Sequence, residues 1–282
     1  MMKYREIYDY GVHELADAGI EEKEWDARLL LEYVCHTDRN DLLVHGDREV
    51  TEEEKSMYFA FIGKRKGHMP LQYITGEQEF MGLPFLVNEH VLIPRQDTEI
   101  LVEEALRELR DGMDILDMCT GSGCILISLL RYSNDCTGLG VDISEEALAV
   151  AEGNARKLLA PDCQARFIKS DLFGEVDGMY DMIVSNPPYI PSGVIGSLMP
   201  EVREHEPLGA LDGREDGLWF YRRITGECRK YLKPGGMLFY EIGYDQGASV
   251  SEILSGEGFG EIQVTKDYAG LDRVVSGILR HR

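Results

Sequence analysis

The tetrapeptide Asn186-Pro187-Pro188-Tyr189 follows the apolar, β-branched run YDMIVS, which reads as a buried strand. Two successive residues lack a backbone N–H, and each proline biases its predecessor toward extended geometry. The result is a stiff rim at a strand end that offers acceptors: the Asn186 side-chain oxygen and the Pro187 carbonyl, with the Tyr189 ring as a flat face. Such a rim suits a planar group bearing an NH2, either a carboxamide or the exocyclic amine of a base. Both nitrogens are poor nucleophiles because their lone pairs are delocalised. Two acceptors holding both N–H bonds would aim the nitrogen at an electrophilic methyl group and stabilise positive charge growing on it. No strong general base is then required, because an N-methylated cation loses its proton readily. Taken alone, the tetrapeptide is a rigid turn with a packed tyrosine; its chemistry depends on its neighbours.

A second motif supplies one. The strand-like run ILDM enters Cys119-Thr120-Gly121-Ser122-Gly123 and then a helical pattern. A glycine-rich turn of this kind lets a ligand approach the backbone at a helix N-terminus. Asp142 follows nineteen residues after Gly123, at the tip of the next strand, where its carboxylate can accept from both ribose hydroxyls. Asp171, at the end of the third strand, is placed to help define an adenine pocket. An NAD site is disfavoured because Leu126 stands where a third small residue belongs, and no Walker lysine is present. S-adenosylmethionine, an adenosine with a small zwitterion and no pyrophosphate, fits better.

These motifs sit within an alternation of helices and strands from about Asp97 onward. Strands are expected at DILDM, CTGLGVDI, QARFIKSD, YDMIVSN, GGMLFYEIG, FGEIQVTKD and DRVVSGILR. The spacing predicts a mostly parallel, doubly wound α/β sheet, with the last two strands forming an antiparallel hairpin at one edge. Residues 1–72 read as a small helical bundle, with a capping box at Thr51-Glu52-Glu53-Glu54. Residues 73–94 read as a β-hairpin linker and 95–282 as the catalytic domain. The one compact basic stretch, GKRKGH from Gly63 to His68, reads as cations complementing a helix C-terminus before Gly67.

Composition narrows the partners. With 29 basic and 51 acidic residues the net charge is −22, which counts against tight duplex nucleic-acid binding. The six cysteines form no C-x-x-C pair and the histidines no ligand-spaced pair, so no metal is implied. No apolar stretch approaches a membrane span, and MMKYREIYDY lacks a signal-peptide apolar core, so a cytoplasmic location is expected.

PLQYITG, VLIPRQDTE, DMCTGSG, VDIS, IVSNPPYI, EPLGAL, LKPGG, YEIG and DYAGLDRVV, in this order, strongly resemble the blocks of the HemK/PrmC family, which methylates glutamine in peptide-chain release factors. The resemblance covers nearly the whole chain. It implies a seven-stranded, Rossmann-like S-adenosylmethionine-dependent methyltransferase domain behind an N-terminal helical domain that helps engage the release factor. It puts the cofactor (product S-adenosylhomocysteine) at Cys119, Thr120, Gly121, Ser122, Gly123, Asp142, Leu172 and Asn186, beside Asp171. It puts the substrate glutamine at Asn186, Pro187, Pro188 and Tyr189, with Asn186, Pro187 and Tyr189 as the catalytic set. Two positions depart from the family pattern. Gln96 replaces a proline, and Cys119 replaces a glycine, so the backbone there is expected to suit a residue with a Cβ. Asp97 or Thr98 reads as a helix cap, and Arg95 as a member of a scaffold ion pair.

The leading expectation is a monomeric protein-(glutamine-N5) methyltransferase acting on the Gly-Gly-Gln motif of release factors. An exocyclic-amine methyltransferase of RNA or DNA is the alternative, since the same rim fits adenine. A non-catalytic, cofactor-binding docking subunit is a third reading, which the intact Asn186 to Tyr189 rim opposes.

Overall fold

The computed structural model describes residues 2–280. Helices α1 (Tyr4–Asp17), α2 (Lys23–Cys35), α3 (Arg39–Val44), α4 (Glu52–Lys66) and α5 (Leu71–Thr75) precede the hairpin β1 (Glu77–Phe80) and β2 (Leu83–Leu86). Next come α6 (Gln96–Glu108), β3 (Asp114–Met118), α7 (Cys124–Arg131), β4 (Thr137–Asp142), α8 (Glu145–Leu158), β5 (Gln164–Lys169) and β6 (Tyr180–Ser185). A 3-10 turn (Ile195–Ser197) and the short helices α9 (Pro200–His205) and α10 (Leu208–Leu211) lead to α11 (Trp219–Cys228), β7 (Leu232–Glu241), α12 (Gly247–Gly256), β8 (Phe259–Lys266) and β9 (Asp272–Leu279). The chain forms two compact units: the part up to Gly76 together with Met199–His205, and the remainder.

In the helical unit, α1 buries Tyr4, Ile7, Gly11 and Leu15, the spacing of a single helix face. A Cβ on Gly11 would lie 1.9 Å from the Tyr58 hydroxyl oxygen, so glycine sets how closely α1 and α4 approach. The Tyr58 hydroxyl donates to the Ala27 carbonyl at 3.0 Å, which satisfies a fully buried polar atom. The Thr51–Glu54 capping box closes α4 as expected, with Glu54 N donating to Thr51 Oγ1 at 3.2 Å and Thr51 N to Glu54 Oε2 at 2.7 Å. The basic end of α4 does more than complement a dipole. Arg65 is buried, donates to Asp26 Oδ2 at 2.7 Å and pairs with Glu201 of α9, so this cation locks the returning segment into the bundle.

In the second unit, β1 and β2 pair antiparallel around Met81 and Gly82, with φ of 52° and 70°, values that suit a two-residue hairpin turn. The seven-stranded sheet runs β5-β4-β3-β6-β7-β9-β8, parallel through β7 and antiparallel for the last two strands, which bears out the expected α/β architecture. Both faces are covered, so the strands alternate between two cores. Leu116, Met118, Ile183 and Leu238 face α11 and α12, while Ile115, Met182, Val184 and Phe239 face α6 and α7. Strand order reverses between β3 and β6, and open α/β sheets leave a crevice beyond the carboxyl ends of such strands.

Candidate active site

The two motifs end the two strands flanking that crevice. Met118 of β3 pairs with Ser185 of β6, and the Ser185 hydroxyl donates to the Met118 carbonyl at 2.6 Å, holding the two exits together. On the β3 side the chain turns through left-handed backbone at Cys119 (φ 62°), Gly121 (φ 54°) and Gly123 (φ 78°). Gly123 cannot carry a side chain, since a Cβ would lie 2.9 Å from Ile127 Cδ1 and 3.2 Å from Ala151 Cβ, where α7 meets α8. Gly121 is different: nothing lies within 4 Å of its would-be Cβ, so the space above it is open. Thr120 anchors the loop by donating its hydroxyl to Asp117 Oδ2 at 2.6 Å and its N–H to the Val141 carbonyl at 2.9 Å. Asp117 is fully buried, and burial pushes its carboxyl up to about 7.

Asp142 ends β4 beside this loop. Its Oδ2 accepts from Gly121 N at 2.9 Å and its Oδ1 from Ser144 N at 3.0 Å, so both oxygens have a fixed direction and a spare lone pair. Burial raises its pKa, and the backbone N–H groups oppose that rise. A cavity of about 510 Å³ opens here, within the size range of cofactor sites. Cys119, Thr120, Gly121, Ser122, Asp142, Asp171, Leu172, Asn186 and Pro188 line it. Gly123 serves as the α7 N-cap just behind. Pro187 is buried, and Pro187 and Tyr189 are not among the lining residues.

The rim on the β6 side is held by distant side chains. Asn186 Nδ2 donates to Thr98 Oγ1 at 3.3 Å, and the Tyr189 hydroxyl donates to Glu241 Oε1 at 3.3 Å. Gln246 Nε2 donates to the Tyr189 carbonyl at 3.0 Å. A Cβ on Gly217, at φ 72°, would lie 2.3 Å from that carbonyl oxygen, so the 213–217 loop can pack on the rim only through glycine. Glu241 is buried at the end of β7, and its carboxyl is pushed up to about 7 by burial, against the pull of Thr98, Arg273 and Tyr189.

Known proteins resemble this chain. Residues 6–76 match the family described as PrmC N-terminal domain, and residues 96–197 the family described as Methyltransferase small domain. A "Release factor glutamine methyltransferase" of Clostridium acetobutylicum is 45% identical over 258 residues, covering 90% of either chain. One from Geobacter sulfurreducens is 41% identical over 274 residues, covering 97% of this chain and 95% of its own. This chain belongs to the release factor glutamine methyltransferase family. A solved methyltransferase from Pyrococcus furiosus, 16% identical, shares the fold with a TM-score of 0.54 over 82% of this chain and 100% of its own.

For a release factor glutamine methyltransferase, several details differ from the reading of the sequence. Asp97 and Thr98 do not cap α6. The helix already begins at Gln96 with Arg95 as its N-cap, so both lie in the first turn with their side chains free for tertiary contacts. Asp97 pairs with Arg273 Nη2 at 3.1 Å, and Thr98 meets Asn186. The backbone at Cys119 does not suit a Cβ as expected: it is left-handed, at φ 62°, where a Cβ is disfavoured. Arg95 does form an ion pair, with the buried Glu206.

The sequence reading gave Thr98 only as a cap and missed Glu241 and Asn154. Asn154, buried in α8, donates Nδ2 to the Leu86 carbonyl at 3.0 Å and the Ser122 carbonyl at 2.9 Å, and accepts from Leu86 N at 2.7 Å. It thereby ties the hairpin to the glycine loop. The available signal was a polar residue at an apolar-face position of an amphipathic helix.

Proposed function

We propose that this protein transfers a methyl group from S-adenosylmethionine to the side-chain amide nitrogen of the glutamine in the Gly-Gly-Gln motif of release factors. The observation that carries this reading is one cavity at the strand-order reversal, bordered by both the glycine loop with Asp142 and by Asn186. The residues fit the cofactor. Gly121 leaves room against the backbone, Asp142 presents two fixed acceptors for a diol, and Asp171 and Leu172 border the same space. When bound, the cofactor supplies a methyl group on a positively charged sulfur.

The protein's own part is positioning. The Asn186 Oδ1 and the Pro187 carbonyl accept the two N–H bonds of the substrate amide, which holds its nitrogen toward the methyl group. As positive charge grows on that nitrogen, the same acceptors stabilise it without moving. Pro187 and Pro188 are buried, and the lower dielectric there strengthens these hydrogen bonds. The methylated amide is acidic enough to release its extra proton without a dedicated base.

The helical unit is the docking element in this reading. Trp25, 55% exposed and stacked under the Arg28 guanidinium at 4.4 Å, borders a hollow that mixes Arg5 and Arg39 with Asp9, Glu22 and Glu24 beside Leu42 and Leu43, a surface suited to a partner of mixed charge with an apolar patch. A single copy carries every residue named, in keeping with a monomer, and the cytoplasm, where release factors work, is its place of action. The deciding experiment incubates the protein with labelled S-adenosylmethionine and purified release factor, then maps the product peptides by mass spectrometry. Methyl on the Gly-Gly-Gln glutamine supports the reading. Label only in added RNA or DNA reverses it.

A further inference from the structure

We propose that Thr98 and Glu241 are positioning residues that fix which way the Asn186 amide faces, an inference that rests on Asn186 as an acceptor for the substrate amide. A carboxamide is planar and presents donors at one end and an acceptor at the other. If Asn186 turned its nitrogen to the substrate, NH2 would face NH2 and the site would repel the group it must grip. Something has to choose between the two orientations, and the choice falls to Thr98. Its Oγ1 accepts from Asn186 Nδ2 at 3.3 Å, which leaves Oδ1 turned away from Thr98.

Thr98 can do this reliably only if its own proton is committed elsewhere. It is 2% exposed, so water does not take that proton. The acceptor at hand is the Glu241 carboxylate, near enough to Thr98 for the hydroxyl to favour its ionised form. Glu241 Oε2 is buried with no partner of ordinary hydrogen-bond geometry, which leaves it an acceptor to spare, while Oε1 accepts from the Tyr189 hydroxyl. One carboxylate therefore acts on both ends of the Asn186 to Tyr189 segment, through Thr98 at one and directly at the other. Arg273, itself held by Asp97 and by Asp267 at 3.0 Å, provides the positive charge that faces Glu241. Neither Thr98 nor Glu241 need touch the substrate.

A double-mutant cycle tests this. Methyl transfer to release factor and binding of S-adenosylhomocysteine are measured for wild type, Thr98→Val, Thr98→Ser, Asn186→Ala and the Thr98→Val/Asn186→Ala pair, with melting curves for each. Valine fills the threonine volume and cannot accept a hydrogen bond. The expected result is a roughly tenfold fall in kcat for Thr98→Val with product binding unchanged, most of it recovered in Thr98→Ser. Added to Asn186→Ala, the valine costs nothing further, because there is no amide left to orient. Multiplying losses in the pair, or a full-rate Thr98→Val beside a slow Asn186→Ala, overturns the inference alone. A full-rate Asn186→Ala overturns the reading of the rim and the inference with it. Should Thr98→Val lack a folded transition, Glu241→Gln, which keeps the side-chain volume, replaces it in the same cycle with the same expected non-additivity.

Discussion

The glycine loop and the proline rim lie side by side at the ends of β3 and β6, yet they are built on opposite principles. The loop reaches its shape through left-handed residues and spends N–H groups within the fold, Thr120 N on the Val141 carbonyl, Gly121 N on Asp142 and Gly123 N on the Thr120 carbonyl, with the space above Gly121 open. The rim has lost backbone N–H groups to its prolines and presents oxygens, with its shape held by Thr98, Glu241 and Gln246 from other parts of the chain. An open turn beside the Asp142 carboxylate suits a ligand with a diol, whereas an acceptor rim suits an amide. Under the proposed function the difference separates binding of the cofactor from selection of the nitrogen, so the two functions should fail independently.

The sharpest way to break this separation is Asn186→Ala. Turnover is expected to fall by roughly a hundredfold or more through lost positioning, while S-adenosylhomocysteine binding by calorimetry stays within about twofold of wild type. Loss of both together would mean that the rim also holds the cofactor. The complementary change is Asp142→Asn. One of its oxygens becomes an NH2 that must face either Gly121 N–H or Ser144 N–H, and the acceptor for a ribose hydroxyl weakens. A rise of about thirtyfold in the KM for S-adenosylmethionine is expected, corresponding to roughly 2 kcal/mol, with a much smaller change in the KM for release factor. An equal rise for both substrates would contradict the division.

The contrast also explains what could be read in advance. The seven strands, their order of appearance and the antiparallel ending follow from local patterns, because apolar runs and turn residues are contiguous in sequence. The loop was legible for the same reason: Cys119 to Gly123 lie together and Asp142 ends the next strand. The supports of the rim were not legible. Thr98 sits in the first turn of an amphipathic helix, where a cap was the simplest reading, and Glu241 ends an apolar strand as one acid among many. Only the superposition of α6 and β7 beyond the end of β6 makes a network of them. The segment around α9 and α10 was missed because helices of six and four residues carry too little periodicity to register.

Both regions keep a buried carboxyl raised to about 7, Asp117 beneath the loop and Glu241 beneath the rim. Their folded pKa values lie above the ordinary carboxyl range, so between about pH 4 and 7 the folded state holds protons that the unfolded state has released. Stability is therefore fully favoured by these groups below about pH 4 and declines as pH rises toward 7, by up to about 1.4 kcal/mol per pH unit for each carboxyl. Asp117→Asn keeps an oxygen for the Thr120 hydroxyl and removes one titrating group. Its denaturant stability should fall less steeply over pH 5–7 than that of wild type, and an unchanged slope would show that Asp117 stays ionised throughout.

The smallest effect tests the loop's geometry. At φ 62° the Cys119 Cβ crowds its own backbone, at a cost of about 1–2 kcal/mol, a penalty that glycine does not carry. Glycine also makes the unfolded chain more flexible, which takes back roughly 0.5–1 kcal/mol. Cys119→Gly should thus be stabilising by no more than about 1.5 kcal/mol in chemical denaturation, with cofactor affinity nearly unchanged. Cys119→Val, branched at the strained carbon, should lose about 1–2 kcal/mol. If valine were tolerated as well as glycine, the left-handed turn would not be the feature the loop requires, and its likeness to a glycine-built cofactor loop would lose its physical basis.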